Sequence, residues 1–563
     1  MKYSEIIKLN NTLETHLNGQ EYKVIILSNI MIHQAKEVCE YLLRVESVNA
    51  RVSMGEYDNI VQDSAKIQDV SAVLIFWEVC NFIDGFHYKI NVLSDDEFQD
   101  IIAKIKSEID LVFDNLKNIP LVLINEFSAL IFDQFSLCKN RLNQITEELN
   151  AYLIATVGIN TRIICINKVL SKLSIDSSID LRYFYSSKTL YSINFYRKYF
   201  EYIKPIFLTS IGKIKKALIF DCDNTLWRGV LGEDGFDNIY MYQEIQYLAL
   251  KLSQQGVIIG LCSKNNLKDV DDVLTDHPDM VLREDSITIK KVNWNNKVSN
   301  LKAIAKDLNI GLDSIVFIDD SSFEVELVKN ELPEVTVFQV PEKEYKYGLM
   351  MRELGNLFYN PSETKEDIQK LQIYKEQLKR NKDKDSKGSI KDYLVSLGIV
   401  LTVHVDDGSQ VSRISQMTQK TNQFNLTTKR YTESEIARLI NDKSYMVIAI
   451  NVHDKYGDSG LTGVAIINNV DSKIDTLLLS CRILGRNIEY KFMDIIVDLA
   501  KSRKLKVLSS EYIKTNKNQQ VVDFYEKCGF DKISELDGNS KYNLQVCNYK
   551  NQHIAYIRVN NGS

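Results

Sequence analysis

Two carboxylates one residue apart, Asp221 and Asp223, close the apolar run ALIF at 217–220, and Thr225 follows two positions on. Alternate side chains of an extended chain share a side, so Asp221 and Asp223 face the same way. Paired carboxylates at the carboxyl end of a strand in an α/β sheet suit a divalent cation, and Mg²⁺ combines carboxylate oxygens with substrate phosphate. Taken alone, D-x-D-x-T is a weak signal, because a surface turn with two aspartates is common. Three later segments supply the remaining parts of a phosphoryl-chemistry site. VIIGLCSKN at 257–265 is a second buried strand ending in Ser263, whose hydroxyl can bond a phosphate oxygen, with Asn265 in the next loop. NWNNK at 293–297 sets Lys297 at the head of an amphipathic helical pattern, where an ammonium can neutralise phosphate; a solvated lysine is the plain alternative. SIVFIDDS at 314–321 is a third apolar strand, ending in Asp319 and Asp320, which can complete a metal site.

This succession resembles the four motifs of the haloacid-dehalogenase (HAD) superfamily, whose members use an Asp nucleophile and Mg²⁺. DNTLWRGVLGEDG, CSKNN, DHPDMVLRED, NWNNK and VFIDDSSFEVE, all within 215–341, are similar to its FkbH-like branch, subfamily IIIC. The resemblance implies that Asp221 attacks phosphorus while Asp223 acts as acid and then base. Mg²⁺ would be held by Asp221, Asp223 through its main-chain carbonyl, and one or both of Asp319 and Asp320. Ser263, Thr225 and Lys297 would grip the phosphate, with Asn265 beside them. It further implies that 1,3-bisphosphoglycerate is handled so that a glyceryl unit is loaded as a thioester onto an acyl carrier protein. The thiol would be the carrier's phosphopantetheine or an enzyme cysteine. Cys222 and Cys262 adjoin the motif residues; strand alternation turns both into the core, and Cys262 stays a catalytic candidate.

The elements that must position these residues belong to a long chain: 563 residues exceed one ordinary core, so three or four domains are expected. Composition is that of a globular protein, 45% hydrophobic and 26% charged. A net charge of -6 and pI near 5.8 give no general attraction to nucleic acid or anionic membrane. No apolar run approaches a membrane span, and MKYSEIIKLNN has no apolar signal core, so a cytoplasmic protein is expected. Nine scattered cysteines without C-x-x-C indicate reduced thiols rather than disulfides or structural zinc.

Residues 1–195 alternate apolar runs (KVIILS, AVLIFW, PLVLIN, RIICI) with helical patterns, which reads as βαβ units on a parallel sheet. Ser28 at the end of the first run invites comparison with SGNH hydrolases. No D-x-x-H follows near the end of the segment to take a serine proton, so a flavodoxin/SGNH-like, non-catalytic domain is expected. Residues 196–345 are the HAD-like domain; the stretch from Asp223 to Ser263 is too short for a large cap, which favours a bulky or protein-borne substrate. Residues 346–390 read as a charged helical linker. In 391–563, antiparallel strand patterns lead through R-x-x-G into a helix and then FY-x-x-x-GF, resembling the GNAT acyltransferase fold. There Arg482, Gly485 and Arg486 match the loop that holds a coenzyme pyrophosphate at a helix N-terminus. Asn487 replaces a second glycine, and Tyr525 stands where many such enzymes keep an acid, with a core aromatic as its alternative. KTNQFNLTT at 420–428 resembles a segment of FkbH-like proteins without a known role.

The expected fold is therefore α/β and multidomain: a HAD-like Rossmannoid parallel core flanked by a flavodoxin/SGNH-like α/β domain and a GNAT-like α+β domain. The expected function is a Mg²⁺-dependent glyceryl transferase and phosphatase serving polyketide or surface-polysaccharide synthesis. Its partners would be an acyl carrier protein and a phosphorylated small molecule, with phosphopantetheine or a CoA thioester at the GNAT-like domain and neither nucleic acid nor membrane. The alternatives are a phosphatase on a sugar or other metabolite, and a carrier-binding scaffold without catalysis.

Overall fold

Uninterrupted apolar runs of four or five residues become strands covered on both faces, the environment that parallel sheets require. The computed structural model describes residues 2–17, 21–133, 137–359, 376, 380, 390–480, 483–515 and 517–561. Arg482 and most of the expected linker lie outside the described residues. The chain divides into two units, Met1–Ser210 with Tyr431–Glu435, and Ile211–Arg430 with Ile436–Ser563.

In the first unit, β1 (Tyr22–Ser28), β2 (Ala50–Met54), β3 (Ala72–Phe76), β4 (Leu121–Asn125) and β5 (Thr161–Ile164) form a parallel sheet in the order β2-β1-β3-β4-β5. That is the doubly wound, flavodoxin-like order. Every residue of β3 and β4 is buried. Helix Asp95–Leu116 begins at a reciprocal Ser94/Glu97 capping box and lays Phe98, Ile102, Ile105 and Ile109 on the core. The domain boundary expected at 195 falls inside helix Ile193–Ser210, whose buried Phe195, Tyr199, Ile203 and Phe207 keep it in this unit. Ser28 Oγ accepts a hydrogen bond from the Ile30 amide at 3.1 Å. His87 packs among the rings of Phe132 and Phe184.

Glu78, just beyond β3, is fully buried and accepts a 2.8 Å hydrogen bond from the Tyr191 hydroxyl. Burial pushes its carboxyl up to about 7, only partly opposed by that bond. The folded state therefore holds a proton that the unfolded chain releases near its ordinary value of 4.5. Stability from this group is complete below that value and is lost as pH rises through about 7, by roughly 3 kcal/mol. Glu78→Gln keeps an acceptor for Tyr191 and removes the titration, so the variant should gain stability over the parent from pH 5 to pH 8. Parallel melting profiles at both pH values would disprove this.

In the second unit, β6 (Ala217–Phe220), β9 (Ile258–Ser263), β10 (Ile289–Val292), β11 (Ile315–Asp319) and β12 (Thr336–Gln339) form a parallel sheet in the order β10-β9-β6-β11-β12. Between β6 and β9 the chain makes a two-stranded hairpin, β7 (Trp227–Arg228) with β8 (Tyr240–Met241), and helix Gln243–Gln254. No cap domain lies there. The remaining strands are β13 (Val400–Val405), β14 (Phe424–Asn425), β15 (Tyr445–Asp454), β16 (Gly457–Asn468), β17 (Lys473–Leu479), β18 (Val507–Tyr512), β19 (Asp531–Leu536), β20 (Asn539–Gln545) and β21 (Arg558–Asn561). They build a nine-stranded mixed sheet, β19-β20-β18-β17-β16-β15-β13-β21, with β14 on β17. Helix Ile488–Ser502 packs its buried Ile488, Phe492, Met493 and Ile496 into the core of this sheet.

β17 and β18 run parallel and pair at one position, Lys473 with Ser509. Residues 424–427 fill the fork beyond it. Phe424 and Asn425 pair with Leu479 and Leu478, the Leu426 amide donates to Leu477 O, and the Ile513 amide donates to Leu426 O at 2.8 Å. Asn425, Leu426 and Thr427 are buried.

Candidate active site

Side chains converge where β9, β6 and β11, the three central neighbours, end on the same edge. Asp221 follows β6, while Ser263 and Asp319 are the last residues of β9 and β11. Lys297 begins helix Lys297–Leu308, capped by Asn296 Oδ1 on the Val298 amide, so its side chain is aimed by a fixed first turn. The ammonium lies 2.6 Å from Asp319 Oδ2 and 3.1 Å from Asp221 Oδ2. Burial opposes its charge, but the two carboxylates outweigh burial and raise its pKa. Conversely, burial and then the charge of Asp221 push the Asp319 carboxyl up, against the pull of Lys297.

Asp223 is held from three sides. Its Oδ1 accepts from Trp227 Nε1 at 2.9 Å and from the Leu231 amide at 3.0 Å, and its Oδ2 accepts from Asn265 Nδ2 at 2.8 Å. Burial, aided by the charge of Asp221, still raises its pKa over the lowering effect of these bonds. A carboxyl held in place beside Asp221 is positioned for proton transfer. Asn224 allows the tight turn between these groups: it adopts φ 51° and its Oδ1 accepts from the Gly229 amide.

Asp221, Asp319 and Asp320 can each offer an oxygen such that all three lie within 4.8 Å of one another. Asp221 Oδ1 is buried and has no hydrogen-bond partner among the described residues. An all-oxygen donor set with one orphaned carboxylate oxygen fits a hard divalent cation such as Mg²⁺. Thr225 is fully buried, its Oγ1 also lacks a partner among the described residues, and its carbonyl accepts from the Tyr347 hydroxyl at 3.0 Å.

The structure thus brings Asp221, Asp223, Ser263, Asn265, Lys297, Asp319 and Asp320 to one edge of the sheet. The two cysteines lie in the core on opposite faces: Cys222 joins the cluster of Leu218 and Phe220, with its side chain beside that of Ser263, and Cys262 that of Ile219 and Phe317. Both are fully buried, and burial raises both thiols, which withdraws the thiolate that an acyl carrier would need. Trp227, the Leu231 amide and Tyr347 support the site without having been read as site residues. Trp227 carries the clearest signal, an indole donor four positions after a carboxylate. Tyr347 reaches in from a distant helix and has none.

In the C-terminal sheet, Gly485 (φ 76°) and Asn487 (φ 62°) both adopt the left-handed conformation ahead of helix Ile488–Ser502. Asn487 manages this without glycine, its Nδ2 donating to the Tyr556 hydroxyl at 2.8 Å. Arg486 is buried and its Nη1 lies 3.0 Å from Asp454 Oδ2, which Arg380 also engages. Tyr525 is buried among Phe524, Phe530 and Tyr542, and burial raises its hydroxyl pKa.

No family model matches this sequence, and no curated protein does. Among solved structures, the N-terminal part of BF1531 from Bacteroides fragilis, containing a phosphatase domain complexed with Mg, is 24% identical with a TM-score of 0.54. It covers 64% of this chain and 100% of its own. The dodecameric spermidine N-acetyltransferase from Vibrio cholerae, in an intermediate state, is 15% identical (TM-score 0.22) over 27% of this chain and 98% of its own. The ribosomal-protein-S18-alanine N-acetyltransferase from Escherichia coli is 13% identical (TM-score 0.21) over 26% and 94%. The first likeness is one of fold, to a chain that contains a phosphatase domain; the other two are too slight to argue from. The fold class is α/β and multidomain, and no described helix is long and apolar enough to cross a membrane.

Proposed function

We propose that this protein is a Mg²⁺-dependent, HAD-type phosphoryl-handling enzyme that acts on an acyl phosphate and passes its glyceryl group to the thiol of an acyl carrier protein. The carrying observation is the orphaned, buried Asp221 Oδ1 beside Asp319, Asp320 and the charged Lys297. Asp221, Asp319 and Asp320 would hold the cation, which when bound offsets negative charge on the transferring group. Asp221 is the nucleophile toward the phosphorus of the substrate's phosphomonoester group, forming an aspartyl phosphate as the bond to the alcohol oxygen breaks and leaving the acyl phosphate intact. Asp223 would hand a proton to that oxygen and then take one from the attacking water. Lys297 stays charged and Ser263 supplies a hydroxyl, so phosphate oxygens have fixed partners throughout.

An acyl phosphate also exposes a carbonyl carbon. The burial of Cys222 and Cys262 favours direct attack by the carrier's own thiol, with phosphate as leaving group, over an acyl-enzyme on cysteine. The insertion between β6 and β9 is short, and large apolar side chains stand exposed in the loop after β10 and in the first turn of helix Ser322–Glu331 after β11, Trp294 at 76% and Phe323 at 70%. Such a rim supports a protein-borne substrate. A metabolite phosphatase is the second reading, favoured by the β17/β18 fork, which among the described residues is occupied by the chain's own segment 424–427.

The test is intact-mass spectrometry of a phosphopantetheinylated carrier incubated with the protein, Mg²⁺ and enzymatically generated 1,3-bisphosphoglycerate. A glyceryl or phosphoglyceryl mass gain that is lost on chelating Mg²⁺ is expected. No gain across several carriers, with phosphate released from simple phosphomonoesters, would replace the transferase reading by the phosphatase.

A further inference from the structure

The amino ends of the same parallel strands open onto a cavity of about 600 Å³, within the range of small-molecule sites. One wall is the edge preceding β6, β9 and β11, including Lys215, Lys216, Ile310 and Leu312. The other is helix Val411–Lys420 with the residues after it, Ser480 and Lys517. The strands are four to six residues long, so this edge lies about 13–20 Å from the Asp221 edge at ~3.3 Å per residue. The cavity is a place apart from the candidate active site.

Its lining is strongly cationic. Lys215, Lys216, Arg413, Lys420 and Lys517 line it against two carboxylates, Asp313 and Glu334. Three of the basic groups are held in place, and Lys517 pairs with Asp313. Lys215 Nζ donates to Asp313 O at 2.7 Å and Lys216 Nζ to Lys420 O at 2.8 Å. Arg413 is buried, its guanidinium oriented by Gln416 Oε1 at 3.0 Å and by Leu461 O. Between the charges run apolar walls, Ile310, Leu312, Met417 and Phe358. Clustered cations in a low-dielectric recess attract a multiply charged anion more strongly than a single carboxylate, and the apolar walls offer contact to carbon.

We infer that this cavity is a second ligand site, for a small phosphate ester whose phosphate lies among the lysines and whose carbon skeleton lies on Ile310, Leu312 and Met417. The inference does not depend on the reaction at Asp221. A ligand there touches the amino edge of the parallel sheet and helix Val411–Lys420, so binding couples them.

Pyridoxal 5′-phosphate tests it on the unmodified full chain, because it is itself a phosphate ester and its aldehyde condenses with lysine amines. Borohydride fixes the adduct, and peptide mass spectrometry locates it. One or more of Lys215, Lys216 and Lys420 should label about tenfold faster than the median exposed lysine. Glycerol 3-phosphate should protect them at lower concentration than inorganic phosphate, and Arg413→Gln should weaken that protection. Labelling no faster than the median, or confined to Lys297, overturns the site. Equal protection by inorganic phosphate overturns the assignment of an ester.

Discussion

Asp221→Asn should lower phosphate release by at least about 10⁴-fold, the scale on which removing a covalent nucleophile acts, while leaving the protein folded. The amide preserves the shape of the side chain and can still accept from Lys297, which lies 3.1 Å from Oδ2. It cannot form an acyl phosphate. It also removes one negative charge from the buried group with Asp319 and Asp320, so thermal stability without added metal should hold or rise. Release of phosphate at the parental rate would overturn the nucleophile assignment, whatever the substrate.

Lys297→Met has the second largest expected effect, and it acts on stability as well as on rate. The lysine is 3% exposed and lies between two carboxylates that are themselves buried. Removing one partner of such a buried group leaves charge uncompensated and costs about 3–5 kcal/mol. Loss of a charge-stabilising contact to phosphate should lower the rate by about 10³-fold. Because Mg²⁺ would bring positive charge to the same carboxylates, it should restore part of the lost melting temperature in the variant, beyond its effect on the parent. Equal melting of variant and parent in chelator would show that Lys297 does not balance Asp221 and Asp319.

The convergence of side chains at the β6 edge was legible because it is encoded locally: an apolar run gives a buried strand, and the next polar residue sits at its end. Asp221, Ser263 and Asp319 share one edge because three such strands are neighbours, and only their adjacency had to come from the fold. Strand alternation likewise foretold the inward turn of Cys222 and Cys262. What stayed hidden depends on long-range packing. Asn265, read as a substrate contact, bonds Asp223. Arg486, matched to a pyrophosphate loop, meets Asp454 of β15, a partner that no local pattern announces. The end of the first unit was hidden too, since helix Ile193–Ser210 has the same apolar stripe whichever core it joins. The KTNQFNLTT segment showed in sequence only as a marker, and its place in the β17/β18 fork is a matter of backbone pairing.

That fork also bears on how the C-terminal sheet assembles. Leu426 makes one backbone hydrogen bond to each side, its amide donating to Leu477 O and its carbonyl accepting from the Ile513 amide, so neither strand can complete its edge until a segment from early in the sheet's sequence has arrived. Closing such distant loops must precede the contacts that reward it, which slows the search for the native arrangement. The last step of refolding should therefore be the ordering of residues 424–427, with amide protons there among the latest to gain protection in pulse-labelled hydrogen exchange.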